Sequence, residues 1–362
     1  MARQEREPVK IARLRSELLA WYRHNRRDLP WRRNADPYAI WVSEIMLQQT
    51  RVAVVVERYQ AFMSRFPTLL SLALASEQDV LALWSGLGYY RRARMLHKAA
   101  HFLASQHQCN LPGTAEELRT LPGIGVYTAA AIASIAHGEA VAVVDGNVER
   151  VLCRLAGWEA VGRTGGAALR RKIEGLAASL LDPEQPGDFN QALMELGALI
   201  CTPRNPQCLV CPWAADCATR GEHKTRPRPG MVSREVAHAL SVRMGQGSGR
   251  EVLLEQRPAS CTVMPGLWEL PALLDAAVPE DKLRMTVRHA IMQVNYYVRI
   301  RAVFEDDAEA LTVSGGERRW VPLNEAARMA LTGLTRKVLH RAHLLPTAQL
   351  DAIAPEPVPD VV

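Results

Sequence analysis

No apolar run in this 362-residue chain is long enough to span a bilayer, which excludes a helical membrane protein. No apolar segment follows the basic N-terminal stretch, so nothing there directs the chain to an oxidising compartment, and a cytoplasmic location is expected. Cysteine is sparse and odd in number, seven in all, a poor inventory for a disulfide framework. Internal repeats are missing too, which excludes a solenoid. An acidic excess is also lacking: 44 Lys and Arg against 38 Asp and Glu give a net charge of +6. That balance suits a polyanionic partner without selecting one.

What is present begins with Cys201-x6-Cys208-x2-Cys211-x5-Cys217, interleaved with Pro203, Pro206 and Pro212. Four thiolates in so compact and turn-rich a segment can close on one metal centre. Four-cysteine zinc sites usually come as two close pairs separated by a longer loop. Here only Cys208 and Cys211 form a close pair, and all four ligands fall within seventeen residues. A single ligand loop suits a cubane 4Fe–4S cluster, with zinc the next reading and disulfides the third. Cys109, Cys153 and Cys261 read as isolated thiols.

The chain is long enough for two domains. From about 10 to 220 the apolar spacing is mostly helical, as over 11–21, 41–62, 93–103, 127–137, 148–155 and 189–200. Residues 222–230, EHKTRPRPG, read as an extended linker. Beyond them come short β-like runs at 237–244, 251–254, 296–304 and 319–321, with helical stretches near 322–344. The expected organisation is a mostly α domain over 8–221 ending in the cysteine loop, and a linker over 222–233. A smaller α/β domain over 234–346 and a flexible tail over 347–362 follow. Basic clusters lie at Arg23, Arg26, Arg27, Arg32 and Arg33 and at Arg91, Arg92, Arg94 and Lys98.

Three further features carry chemistry. LPGIGVYTA (121–129) places a Pro-Gly-x-Gly turn between two helical stretches. Such a turn beside a helix N-terminus can hold a phosphate on backbone N–H groups; it can also be a plain corner. Asp145, in VDGN (144–147), stands where a helix begins. It could cap that helix, or serve as a carboxylate kept ionised beside a positive helix end. Glu44 lies among apolar residues, where Trp41, Glu44 and Gln48 would share one helical face. Burial there would raise its pKa toward that of a general acid, unless an arginine pairs with it.

Together the hairpin, the Asp after it and the cysteine loop resemble the helix–hairpin–helix DNA glycosylase superfamily. Within it, WVSEIMLQQTRV (41–52), WSGLGYYRRAR (84–94), VDGNVERV (144–151) and FNQALMELGALICTPRNPQC (189–208) resemble the MutY adenine DNA glycosylases. The resemblance spans nearly all of residues 20–220. It implies an enzyme that removes adenine mispaired with 8-oxoguanine or guanine in double-stranded DNA. The N-glycosidic bond is hydrolysed and the strand is left intact. It further implies a monomer associated with the nucleoid and not with membrane.

The resemblance also implies the site. Glu44, protonated, gives a proton to adenine N7, and ionised Asp145 stabilises the oxocarbenium sugar, the two-carboxylate logic of glycoside hydrolysis. Tyr127 and Asn147 position groups around Asp145 and the sugar. Trp31, Arg32, Leu47, Val52 and Gln191 line the adenine pocket. Gln48 and Tyr89 probe or wedge the vacated stack, and Gly123 and Gly125 hold a backbone phosphate. Cys201, Cys208, Cys211 and Cys217 carry a structural 4Fe–4S cluster. Endonuclease III, a relative, is implied to have a Schiff-base lysine where this chain has Tyr127, so imine chemistry loses its amine. Two alternatives stand beside this reading: an endonuclease-III-like bifunctional glycosylase/lyase, and a non-enzymatic iron–sulfur DNA-binding protein.

In the C-terminal part, VLLEQR (252–257) and MPGLWELP (264–271) resemble the Nudix-like domain with which MutY proteins recognise 8-oxoguanine. No REx2EExG acid cluster follows Gly266, so the magnesium site of a pyrophosphatase is lacking and binding is expected instead. RHAIMQ (288–293) stands where the family usually has Phe-Ser-His. The serine and histidine that read the oxidised base are replaced by Met292 and Gln293.

Overall fold

A computed structural model describes residues 7–106, 108–159, 166–223, 230–245, 249–311 and 316–346. Residues 224–229 of the expected linker and the whole expected tail lie outside the described residues. The helices of the first part are α1 (Glu7–Asn25), α2 (Pro37–Leu47), α3 (Val52–Arg65), α4 (Leu69–Ala73), α5 (Glu77–Leu83) and α6 (Arg91–Gln106). They continue with α7 (Ala115–Leu118), α8 (Val126–His137), α9 (Gly146–Ala156), α10 (Gly166–Leu180) and α11 (Pro186–Leu199). The later part is α/β, with strands β1 (Val232–Leu240), β2 (Val242–Met244), β3 (Arg250–Gln256), β4 (Trp268–Glu269), β5 (Ala272–Leu273), β6 (Leu283–Ile291), β7 (Val294–Ala302) and β8 (Arg318–Pro322). Among these strands lies α12 (Glu305–Ala308), and α13 (Leu323–Ala326) and α14 (Gly333–Arg341) follow them.

The chain divides into two compact units, one of 1–48 with 98–227 and the other of 49–97 with 228–362. In the first, α1 buries Leu14, Leu18 and Tyr22, spaced four apart on one helical face, against Val148, Leu152, Ile173, Phe189, Leu193 and Leu196. Each such fully buried side chain contributes on the order of 1.5–3 kcal/mol. Trp213, from the cysteine segment, enters the same core and donates from Nε1 to the Leu14 carbonyl at 2.9 Å. The metal-ligand loop is thereby fastened to the helices that carry Asp145. The alanine-rich α8 buries Thr128 to Ser134, side chains that are small apart from Ile132 and let neighbouring helices approach closely.

In the second unit two sheets form, with orders β5-β1-β7-β6 and β2-β3-β4, and β8 pairs with β3. β1 runs parallel to β7, and β6 antiparallel to it. Val252, Leu254, Val287, Val298, Ile300 and Val321 form the core with Val338 and Leu339 of α14.

Two expected elements differ, and one long strand was not expected. The helical run over 41–62 is two helices, because Gln48 leaves helical geometry (ψ 112) and Gln49 adopts φ +56. The run over 237–244 is also two strands, broken at Ser241, where the chain passes from one sheet to the other. Finally, β6 was not among the expected strands. Its hairpin to β7 turns through Met292 and Gln293, with Met292 at φ +54, and so lacks the usual Gly or Asn turn signal.

Candidate active site

Glu44 sits in the middle of α2, whose residues from Tyr38 to Met46 are all buried. It is only 6% exposed. Tyr127, second residue of α8, donates its hydroxyl to Glu44 Oε2 at 2.7 Å. The partner of the buried acid is thus a phenol, and among the described residues no arginine forms an ion pair with it. Burial raises the Glu44 pKa to about 6; the Tyr127 hydrogen bond opposes the rise and the charge of Asp145 adds to it. Tyr127 is itself pushed up by burial and then by the Glu44 and Asp145 charges, which keeps its hydroxyl a donor. One acid is therefore held near neutrality, within electrostatic reach of a second.

Asp145 caps α9 and reaches the site at once. Its Oδ1 accepts from the backbone N–H of Asn147 (2.9 Å) and of Val148 (2.7 Å), and its Oδ2 accepts from Asn147 Nδ2 at 3.1 Å. The cap and the functional reading are compatible, because the N–H donors orient the carboxylate that Glu44 and Tyr127 feel. Asn147 is braced from behind: its Oδ1 accepts from Arg150 Nη2 at 2.8 Å. Arg150 also donates to the carbonyls of Gly197 and Cys201, each at 2.8 Å.

Sequence reasoning quoted α11 within a motif yet gave a role there only to Gln191; the helix does more. Asn190 Oδ1 accepts from the Val143 N–H at 3.0 Å, and its Nδ2 donates to the Val141 carbonyl at 2.9 Å, fixing the segment that leads to Asp145. Met194 accepts the Tyr127 hydroxyl at 3.6 Å. Glu195, 1% exposed, accepts from Arg27 (2.8 and 2.7 Å) and Arg32 (3.1 and 3.0 Å). Burial raises the pKa of Glu195, but the two arginines overcome it and hold the group at about 2. The available signal was a charged residue at a helical core position between Leu193 and Leu196.

The remaining expected residues fall as follows. Trp31, 6% exposed, lies in the 3-10 turn Pro30–Arg32, which the Arg32–Glu195 pair ties to α11. Gln191 and Leu47 are half-buried. Gln48 donates from Nε2 to Thr128 Oγ1 at 3.2 Å, next to Tyr127 in sequence. The turn between α7 and α8 uses φ +79 at Gly123, and Gly125 is the N-cap of α8 with no side-chain cap. The first N–H groups of α8 thus receive no side-chain cap, which suits an anion. Val52 and Tyr89 belong to the other unit.

Cys201, Cys208, Cys211 and Cys217 line one cavity together with Arg154 and Arg220. None of the four is joined in a disulfide. Burial pushes the Cys211 thiol up to about 11, and the three other cysteines push the same way. Four such sulfurs can be thiolates together only around cationic metal. Sulfurs from one short segment that line a common cavity fit a metal centre held by several thiolates at once. Arg154 organises the loop, donating to the Cys201 sulfur at 3.3 Å and to the Thr202 carbonyl at 2.7 Å.

Residues 42–174 match the HhH-GPD superfamily of base excision DNA repair proteins. The adenine DNA glycosylase of Homo sapiens is 49% identical over 225 residues, 59% of this chain and 41% of that protein. That of Mus musculus is 36% identical over 403 residues, 91% of this chain and 77% of that protein. The chain belongs to the adenine DNA glycosylase family. It spans only part of these relatives, 50% of the Arabidopsis thaliana adenine DNA glycosylase, for example. Residues 201–217 match the iron–sulfur binding domain of endonuclease III, so the loop is an iron–sulfur binding segment. A thermostable thymine-DNA glycosylase shares the helical fold at 28% identity with a TM-score of 0.53, over 59% of this chain and 97% of that one. Endonuclease III in a non-covalent complex with DNA shares the fold at 21% identity and a TM-score of 0.50.

This member of the adenine DNA glycosylase family also carries a cavity of about 660 Å³ in its second unit. Tyr89, Met264, His289 and Met292 line it. Three of them, Tyr89, Met264 and Met292, take positive φ without being glycine, at +47, +50 and +54. Each such residue costs about 1–3 kcal/mol, and strain of this kind gathers where a surface must present a side chain. No helix among the described residues is long and apolar enough to cross a membrane.

Proposed function

We propose that the protein is a monofunctional glycosylase that hydrolyses the bond between adenine and deoxyribose at A:8-oxoguanine or A:G mispairs in double-stranded DNA. One observation carries the reading: a buried glutamic acid held near pH 6, bonded to Tyr127, within reach of a helix-capping aspartate. Adenine leaves poorly as an anion. Glu44 gives its proton to N7, so the C1′–N9 bond breaks with neutral adenine departing. Asp145 offsets the positive charge that grows on the sugar, and water adds at C1′ to leave an abasic site. Tyr127 holds Glu44 by hydrogen bond, and Asn147 holds Asp145.

Adenine must leave the duplex to reach these acids. Trp31, Arg32, Leu47 and Gln191 form its pocket in the first unit, Gln48 and Tyr89 meet the disturbed stack of the DNA, and Gly123 and Gly125 take the backbone phosphate. The uncapped start of α8 supports that last role. Tyr127 cannot form an imine with the abasic sugar, which argues against the lyase alternative. The four cysteines hold a 4Fe–4S cluster, which supplies a cross-link that keeps the loop folded and takes no redox part. The second unit acts as a Nudix-like reader of the base opposite adenine, without the carboxylates needed for hydrolysis. With Met292 and Gln293 at the hairpin tip, its preference for 8-oxoguanine over guanine is weak. The enzyme acts as a monomer in the cytoplasm, on nucleoid DNA.

Duplexes with adenine opposite 8-oxoguanine, guanine or thymine test this. Expected are release of free adenine from the first two, comparable rates for both, and strands that break only after treatment with base. Asp145→Asn should bind the mispair and leave it uncut. Spontaneous nicking would identify a lyase, and no adenine release would sink the reading.

A further inference from the structure

Tyr89 is 50% exposed although its backbone sits at φ +47, a conformation its neighbours must impose. Arg92, one turn onward at the start of α6, supplies part of that restraint. Its Nη2 donates to the carbonyls of Leu87 (3.0 Å) and Gly88 (3.1 Å) and to Thr50 Oγ1 (3.1 Å). Thr50 in turn donates to the Leu87 carbonyl at 3.3 Å. The same guanidinium lies over two rings, 5.4 Å from the Trp84 centroid and 5.7 Å from that of Tyr89.

Trp84 gives this arrangement a fixed floor. It is fully buried, packs edge-on against Phe62, and donates from Nε1 to the Gly88 carbonyl at 3.1 Å. Arg92 thus joins a rigid indole below to a half-exposed phenol above, and ties down the turn between them. Burial lowers its pKa to about 10, still leaving it charged at neutral pH. A planar fork that bonds carbonyls while stacking on rings is a task lysine performs poorly.

We propose that Arg92 is a positioning residue for Tyr89, holding the turn and the ring so that Tyr89 enters the disturbed base stack at the mispair. This rests on the adenine-excision reading above. An aromatic that must replace a stacking partner is useful only if it stays ordered before DNA arrives.

The test is a double-variant cycle on the full-length protein with Arg92→Met, Tyr89→Ala and the combination. Two quantities are read: single-turnover adenine release, and the fluorescence rise of 2-aminopurine placed beside the target adenine, which reports unstacking. Arg92→Met is expected to slow release about ten- to a hundredfold and to shrink the fluorescence rise. In the Tyr89→Ala background the same change should cost no more than about threefold. Arg92→Lys should fall between wild type and Arg92→Met, and it replaces the latter should that variant not fold. Equal losses in both backgrounds, or full unstacking by Arg92→Met, overturn the proposal. Failure of the wild type to release adenine would sink the excision reading instead, and the unstacking signal, which needs no chemistry, still decides the role of Arg92.

Discussion

Gly197 of α11 approaches Asn147 so closely that a Cβ built on the glycine would lie 2.7 Å from the Asn147 Cβ and 3.1 Å from its carbonyl oxygen. Asn147 is the residue that holds the Asp145 side chain by two hydrogen bonds, one from its backbone N–H and one from its amide. The helix carrying the motif and the carboxylate it supports are therefore in direct steric register.

Gly197→Ala should push the start of α9 away from α11 and misplace Asp145. Small displacements of a reacting group can cost about a hundredfold in rate. The expected outcome is a ten- to hundredfold slower single-turnover adenine release, with about 1–3 kcal/mol of stability lost to overpacking. Denaturant unfolding and excision kinetics on one preparation check both. A variant as fast as wild type would mean that Asp145 needs no such support.

On the proposed mechanism Glu44 sets the pH dependence. Its pKa is raised from 4.5 to about 6, so excision should decline as pH rises through about 6 and the acid loses its proton. Tyr127 lowers that pKa through its hydrogen bond. Tyr127→Phe removes the lowering contact, and the decline should therefore move to higher pH. The linked stability has the same sign. A raised folded pKa means stability falls between pH 4.5 and about 6, by about 2 kcal/mol. The stability difference between wild type and Glu44→Gln should show that slope, and a pH-independent difference would refute the assignment.

Much of this site was legible because its chemistry is local. A glutamate amid apolar residues, an Asp opening a helix, a Pro-Gly-x-Gly turn and four close cysteines are each visible within a few positions. The rest depends on segments far apart in sequence. Arg27 meets Glu195 across 168 positions, and Tyr127 meets Glu44 across 83. No periodicity reports such pairs. Backbone exceptions were equally silent: Gln49 and Met292 take left-handed conformations that only their surroundings impose, and with them went the break between α2 and α3 and the hairpin of β6 and β7. At Asp145 the structure shows the cap, and the proposed role does not compete with it, because capping fixes the direction of the carboxylate.

Glu195→Gln should be among the most damaging changes outside the acids. With its pKa held at about 2, the carboxylate contributes about 3 kcal/mol of stability above pH 4.5, lost as pH falls toward 2. The amide would leave the guanidinium groups of Arg27 and Arg32 without their charge partner, at a cost of about 3–5 kcal/mol. Because Arg32 and Trp31 share one short turn, the proposed adenine pocket should loosen too. The expected signature is a lower melting temperature together with a raised KM for the mispair. Loss of stability with unchanged KM would confine the triad to a structural role.

Arg150 offers the sharpest separation of binding from chemistry. It spans from the Cys201 carbonyl, at the head of the iron–sulfur loop, to the Asn147 amide that orients Asp145, with the Gly197 carbonyl between. Arg150→Met keeps the length of the side chain and deletes every one of these donors. Burial already lowers the pKa of this guanidinium, so an apolar replacement is tolerable in the site. The variant should bind mispaired duplex within about threefold of wild type, since the groups placed against DNA are untouched. Its adenine release should fall about tenfold or more as Asn147 loses its brace. The broad visible absorbance of the iron–sulfur loop should persist, because the four thiols are intact. Bleaching together with lost binding would instead make Arg150 a support of the loop alone.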